Sequence, residues 1–279
     1  MEKIQRLKDL GAQHPLVLAI VLFVVWVILL WLFSITVNPI LVGGLGDDPA
    51  WLRFALEAES LISVVITVFI GRVLFGNGNT ISSVKHICLV FTAGITIGIL
   101  WFVLSFGVLV LVGIAHIDSA LVVQNIFVWI SACFINAAFQ EVLFRGYLFD
   151  LLAKGKNEVI ATIITTIVFT LFHPGAFLAG PIAVFQIALA SIFLTLLRLV
   201  TCGITASIAV HASWNVLGGI VFGVVNLAAD YPALFIVQMT GAWFLTGASM
   251  GLEGSLVTLL ATSVLCCCTY ALKRHLPST

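Results

Sequence analysis

The stretch "LVLAIVLFVVWVILLWLFSITV", residues 16 to 37, runs for 22 residues without one charged side chain. A helix rises ~1.5 Å per residue, so a run of this length spans a hydrocarbon core ~30 Å thick. It predicts a first transmembrane helix, and the absence of a small-residue cleavage site at its end argues against a removable leader. The remaining sequence agrees: 62% of the 279 residues are hydrophobic, only 9% are charged, and mean hydropathy is +1.23. Such a composition lies far from that of a water-soluble domain. Twelve basic and twelve acidic residues cancel, which leaves no field for nucleic acid.

Further apolar runs predict spans at roughly 54–75, 87–114, 120–152, 159–176, 177–200, 204–226 and 254–272. The expected fold is an all-α polytopic bundle of about eight transmembrane helices, forming one membrane domain over 1–279. Lys and Arg collect in short cytoplasmic loops. With both termini cytoplasmic, Lys3, Arg6, Lys8, Arg72, Lys85, Lys154, Lys156, Arg198, Lys273 and Arg274 share the inner side, and Asp47, Asp48, Asp118, Asp230 and Glu253 the outer. Arg53 alone is misplaced. Residues 1–10 suit a short amphipathic helix on the inner face. Asn38-Pro39 and "GGLGDDP" (43–49) suit an exposed outer loop, Glu57 and Glu59 suit solvated positions near the outer end of the second span, and Trp51 and Trp243 suit interfacial anchoring. Six cysteines without C-x-x-C spacing indicate neither a disulfide framework nor a zinc knuckle.

Ionisable groups inside hydrocarbon cost at least ~2.5–3.5 kcal/mol and call for a partner or a function. "QEVLFR" (140–145) puts Glu141 and Arg145 four apart on one helix face, "FTLFH" (169–173) does the same for Phe169 and His173, and "HASWN" (211–215) for His211 and Asn215. Pro174 restricts the residue before it, so His173 is expected where a helix ends or bends into a cavity. A carboxylate, two imidazoles and an amide round a wet pocket suit amide hydrolysis. A divalent metal such as Zn at Glu141, His173 and His211 would suit it equally. The polar cavity is expected to open toward the cytoplasmic half.

These three segments resemble the CAAX prenyl protease and bacteriocin-processing (Abi) family of intramembrane proteases, whose pattern is Glu-Glu-x-x-x-Arg, Phe-x-x-x-His and His-x-x-x-Asn or Asp on successive helices. The resemblance covers roughly 120–226. It implies cleavage of a peptide bond near the membrane, after a prenylated cysteine in the eukaryotic branch, with a peptide or membrane-protein substrate. It also implies roles: a water-activating acid at position 140, His173 orienting that water, His211 and Asn215 stabilising the oxyanion, and Glu141 with Arg145 holding the pocket in shape. Position 140 departs from the pattern, because Gln140 cannot accept the proton. Three readings follow: an inactivating change in this chain, a native Gln in a protein that hydrolyses nothing, or a base supplied by Glu141. A non-catalytic scaffold or immunity protein of the same fold, and a proton-coupled transporter, are the rival functions.

Overall fold

The computed structural model describes residues 13–45, 48–75, 84–155 and 157–276. Residues 1–10, read above as amphipathic, lie outside them. Among the described residues, six helices have spanning length and apolarity: Pro15–Thr36, Pro49–Leu74, His86–Leu111, Ile126–Lys154, Pro181–Thr201 and Leu256–His275. We label the helices α1 (Pro15–Thr36), α2 (Asn38–Leu45), α3 (Pro49–Phe75), α4 (84–111), α5 (126–155), α6 (Glu158–Leu171), α7 (Pro174–Ala179), α8 (Pro181–Thr201), α9 (205–221) and α10 (Leu256–His275). The chain is an all-α polytopic bundle.

Two predicted spans are shorter than expected. The run at 159–176 is a 14-residue helix, α6, because the chain turns out of helical geometry at His173 (φ −113°, ψ 66°) and Pro174 starts α7. The run at 204–226 stops at Val221, beyond which the chain folds back. Its glycines serve that return rather than a contact between helices. A Cβ at Gly218 would meet Val225 at 2.4 Å, and one at Gly219 would meet Leu227 at 2.3 Å. Two short antiparallel strands, Ala115–Ala120 and Phe235–Met239, pair outside the bundle and had no counterpart in the helical expectation.

Helix directions follow from contacts. Glu57 meets Asn136, and a Cβ at Gly71 would overlap the Tyr147 hydroxyl, so α3 and α5 run parallel. Gly94 and Gly98 of "GITIGIL" let α4 press against α9, where added Cβ atoms would stand 2.7 Å from Ala209 and 2.6 Å from Ser213. Buried Thr262 of α10 joins three helices, accepting from Trp101 Nε1 at 2.9 Å and Gln186 Nε2 at 3.0 Å. Its own hydroxyl donates to Thr258 O. These three donors thus find protein partners where lipid offers none.

Three expectations on the outer loops are corrected. Residues 38–45 of the Asn38-Pro39 and "GGLGDDP" stretch form α2, not a loop; Gly46 and Asp47 lie outside the described residues. Glu57 and Glu59 are buried, 6% and 5% exposed, rather than solvated. Burial is tolerated because both carboxylates are partnered: Glu57 by Asn136, Arg53 and Tyr231, Glu59 by the Asn38 amide. Arg53, misplaced by the loop rule, pairs with Glu57 and Asp230. Trp51 and Trp243 are exposed, as anchoring requires. All six cysteines are free.

Candidate active site

Glu141 ends the first regular α-helical stretch of α5, and a wider π-helical stretch, Val142–Leu148, carries Arg145 before regular helix resumes at Phe149. Such bulges are concentrated at functional sites. Glu141 and Arg145 are each 0% exposed. Arg145 Nη1 donates to Glu141 Oε1 at 3.0 Å, and His211 Nδ1 donates to the same oxygen at 2.9 Å. One carboxylate oxygen thereby ties α5 to α9. The Arg145 guanidinium also lies 4.1 Å from the centre of the Phe169 ring, bringing in α6. Desolvated contacts of this kind contribute ~2 kcal/mol.

Phe169 also packs against His173, with ring centroids 4.4 Å apart. His173 Nδ1 lies 2.8 Å from Phe169 O. A carbonyl only accepts, so Nδ1 carries the proton and neutral His173 keeps its Nε2 lone pair free. His211 is oriented in the same way, with Nδ1 committed to Glu141 and Nε2 left over. Both rings line a cavity of about 290 Å³, together with Gln140 and Asn215. The α6–α7 break and the regular helical part of α9 therefore bring two imidazoles and an amide to one space.

Glu141 and Arg145 are not among the residues lining that cavity. They lie behind its wall, where Glu141 Oε2, Arg145 Nε and Arg145 Nη2 have no partner. Gln140 does line it. Its Nε2 donates to Asn136 Oδ1 at 2.9 Å, and Asn136 donates onward to Glu57 Oε2 at 2.9 Å. Gln140 Oε1 is buried without a partner.

The cavity opens at the opposite end from the one expected. Its wall includes Arg53, Asn226, Tyr231 and Glu253, all at the end of the bundle that carries Asp48 and Asp230, away from Arg72, Lys154 and Arg198. Glu141 lies midway along the long α5, and the wall combines α5 residues from Cys133 to Phe144 and the two histidines with Arg53 and Glu57 of α3 and with the segment after α9. Sequence reading missed Glu57, Asn136 and Glu253 as wall residues. Asn136 had a signal, since it stands one helical turn before Gln140 on the same face.

Among the described residues, no three His, Cys, Asp or Glu side chains gather closely enough to hold a metal ion. The three residues considered for zinc are arranged otherwise, with Glu141 Oε1 engaged by Arg145 and His211.

Residues 122–217, 96 of the 279, match the family model described as "Type II CAAX prenyl endopeptidase Rce1-like". This segment is similar to that family. It contains all three motifs and ends two residues beyond Asn215, while α1 to α4, Glu253 and α10 lie outside it. No curated protein and no solved structure matches the chain.

Proposed function

We propose that the chain is an intramembrane endopeptidase of the CAAX type, hydrolysing a peptide bond in a membrane-associated or prenylated peptide, with its rate limited by Gln140. The observation that carries this reading is the shared cavity of His173, His211 and Asn215, in which each ring nitrogen Nδ1 is engaged and each Nε2 is free. His173 Nε2 accepts a hydrogen bond from the attacking water. Asn215 offers an N–H to the developing oxyanion, and the protonated form of His211 can add a second. Arg145 and Glu141 fix His211 from behind. Gln140 occupies the place of a proton acceptor and cannot act as one. Both termini are taken as cytoplasmic.

Gln140 also favours a second reading, a non-catalytic membrane protein that binds peptides in the same cavity. The two separate in liposomes containing purified chain and a farnesylated C-terminal peptide, with products followed by mass spectrometry. Slow cleavage abolished by His173→Gln supports the hydrolase. Peptide binding without cleavage, unchanged after Gln140→Glu, supports the scaffold.

A further inference from the structure

The geometry points to Glu253 as the proton acceptor that position 140 lacks, acting on a water held between the two histidines. This rests on the hydrolase reading above.

Glu253 lies in the short turn Leu252–Gly254, outside the Rce1-like segment, yet its side chain lines the same cavity as His173, His211 and Asn215. Two contacts bracket it. Trp214, between His211 and Asn215 on α9, points its Nε1 at Glu253 Oε1 across 3.4 Å. On the other side Met250 packs against Gly175, two residues from His173, where an added Cβ would meet its sulfur at 3.3 Å. The turn is therefore held between the two histidine-bearing elements. An isolated β-bridge between Val225 and Gly251 fixes its approach.

The other cavity carboxylate is differently placed. Glu57 accepts from Asn136, Arg53 and Tyr231, and stays bound as their counter-charge. Glu253 has one long hydrogen bond from an indole and, among the described residues, no basic partner. Burial pushes its carboxyl up to about 7, near the operating range of a general base. The elements packed on its turn add no charge at that end: Pro174–Ala179, residues 243–250 and the first turns of α8 and α10 contain no ionisable side chain. The titratable or charged groups that share its cavity are His173, His211, Glu57, Arg53, Tyr231 and Cys133.

In the reaction, the Glu253 carboxylate takes a proton from water as the water oxygen bonds to the peptide carbonyl carbon, and the carbonyl electron pair moves onto its oxygen. The same proton then passes to the amide nitrogen as the C–N bond breaks. The carbonyl re-forms, yielding acid and amine products, and Glu253 is left ionised for the next turnover.

The test compares four proteins in liposomes on a fluorogenic farnesylated C-terminal peptide: the unaltered chain, Glu253→Gln, Gln140→Glu and the double variant. The expected result is that Glu253→Gln slows the unaltered chain by about 10²-fold or more, and that Gln140→Glu rescues Glu253→Gln. A merely structural role would lower both backgrounds alike, and that outcome overturns the proposal. The unaltered chain should gain rate as pH rises through about 7; a flat profile overturns the proposal even if Glu253→Gln fails to fold. Cleavage by Gln140→Glu alone, with none by the unaltered chain, rejects Glu253 and keeps the hydrolase. If neither protein cleaves, the hydrolase reading itself fails and takes the proposal with it.

Discussion

Glu141 and His211, seventy residues apart in sequence, meet through a 2.9 Å hydrogen bond that joins a carboxylate closed to solvent to a ring lining the cavity. The same oxygen holds Arg145. This arrangement gives Glu141 a positioning task and leaves little room for it to serve as the base, since its bonded oxygen is committed and it lies behind the cavity wall.

Breaking that cluster should be costly. Arg145→Ala removes the guanidinium beside a buried carboxylate, and removal of one partner of a buried pair costs about 3–5 kcal/mol. Thermal unfolding in detergent is expected to fall by roughly 10 °C, given about 2–4 °C per kcal/mol at domain sizes of 150–250 residues. A melting curve matching that of the unaltered chain would show the pair to be dispensable.

The motif half of this site could be read from spacing, because Glu141–Arg145, Phe169–His173 and His211–Asn215 each share a helix face. Glu57 could not. An acid near the end of a span looks solvated until α5 brings Asn136 against it, a contact 79 residues distant in sequence. Glu253 sits in a turn whose position depends on the chain folding back after Val221, which no local pattern encodes. The eight apolar runs were visible, but α6 and α9 fall short of them because Pro174 and the fold-back end them early. The opening of the cavity was misjudged for the same reason, since its wall comes from those returning segments.

Close helix approach at Gly98 is a second structural requirement. Gly98→Val would drive a branched side chain into Ser213 and the Val210 carbonyl on the helix that carries His211. Overpacking of this kind costs about 1–3 kcal/mol. Cleavage by Gln140→Glu/Gly98→Val should drop more than stability does, because α9 moves with its histidine; activity at the level of Gln140→Glu would argue that the contact is loose.

Stability should depend on pH through Glu253. Its carboxyl is raised to about 7 by burial, whereas an unfolded glutamate titrates near ~4.3. A raised pKa means that the native state binds more protons between these values. The contribution is complete below ~4.3 and is lost as pH rises through about 7. Melting temperatures measured from pH 4 to 8 should therefore decline across this window in the unaltered chain and flatten in Glu253→Gln. Equal slopes would place Glu253 in a solvated setting.

Chelation should leave hydrolysis unchanged. With Glu141 Oε1 engaged by two donors and no three-ligand cluster among the described residues, we expect Gln140→Glu to cleave equally with and without EDTA or 1,10-phenanthroline. Loss on chelation that zinc restores would instead assign the two free Nε2 atoms to a metal.

The most direct measurement is the cleavage rate of Gln140→Glu beside that of the unaltered chain, on a farnesylated C-terminal peptide and on a mixed pool of membrane peptides. Restoring a carboxylate one helical turn from Asn136, in the cavity of His173 and His211, is predicted to raise kcat by about 10²-fold or more. Cleavage of no peptide by either protein, with both folded and embedded in liposomes, would contradict the account.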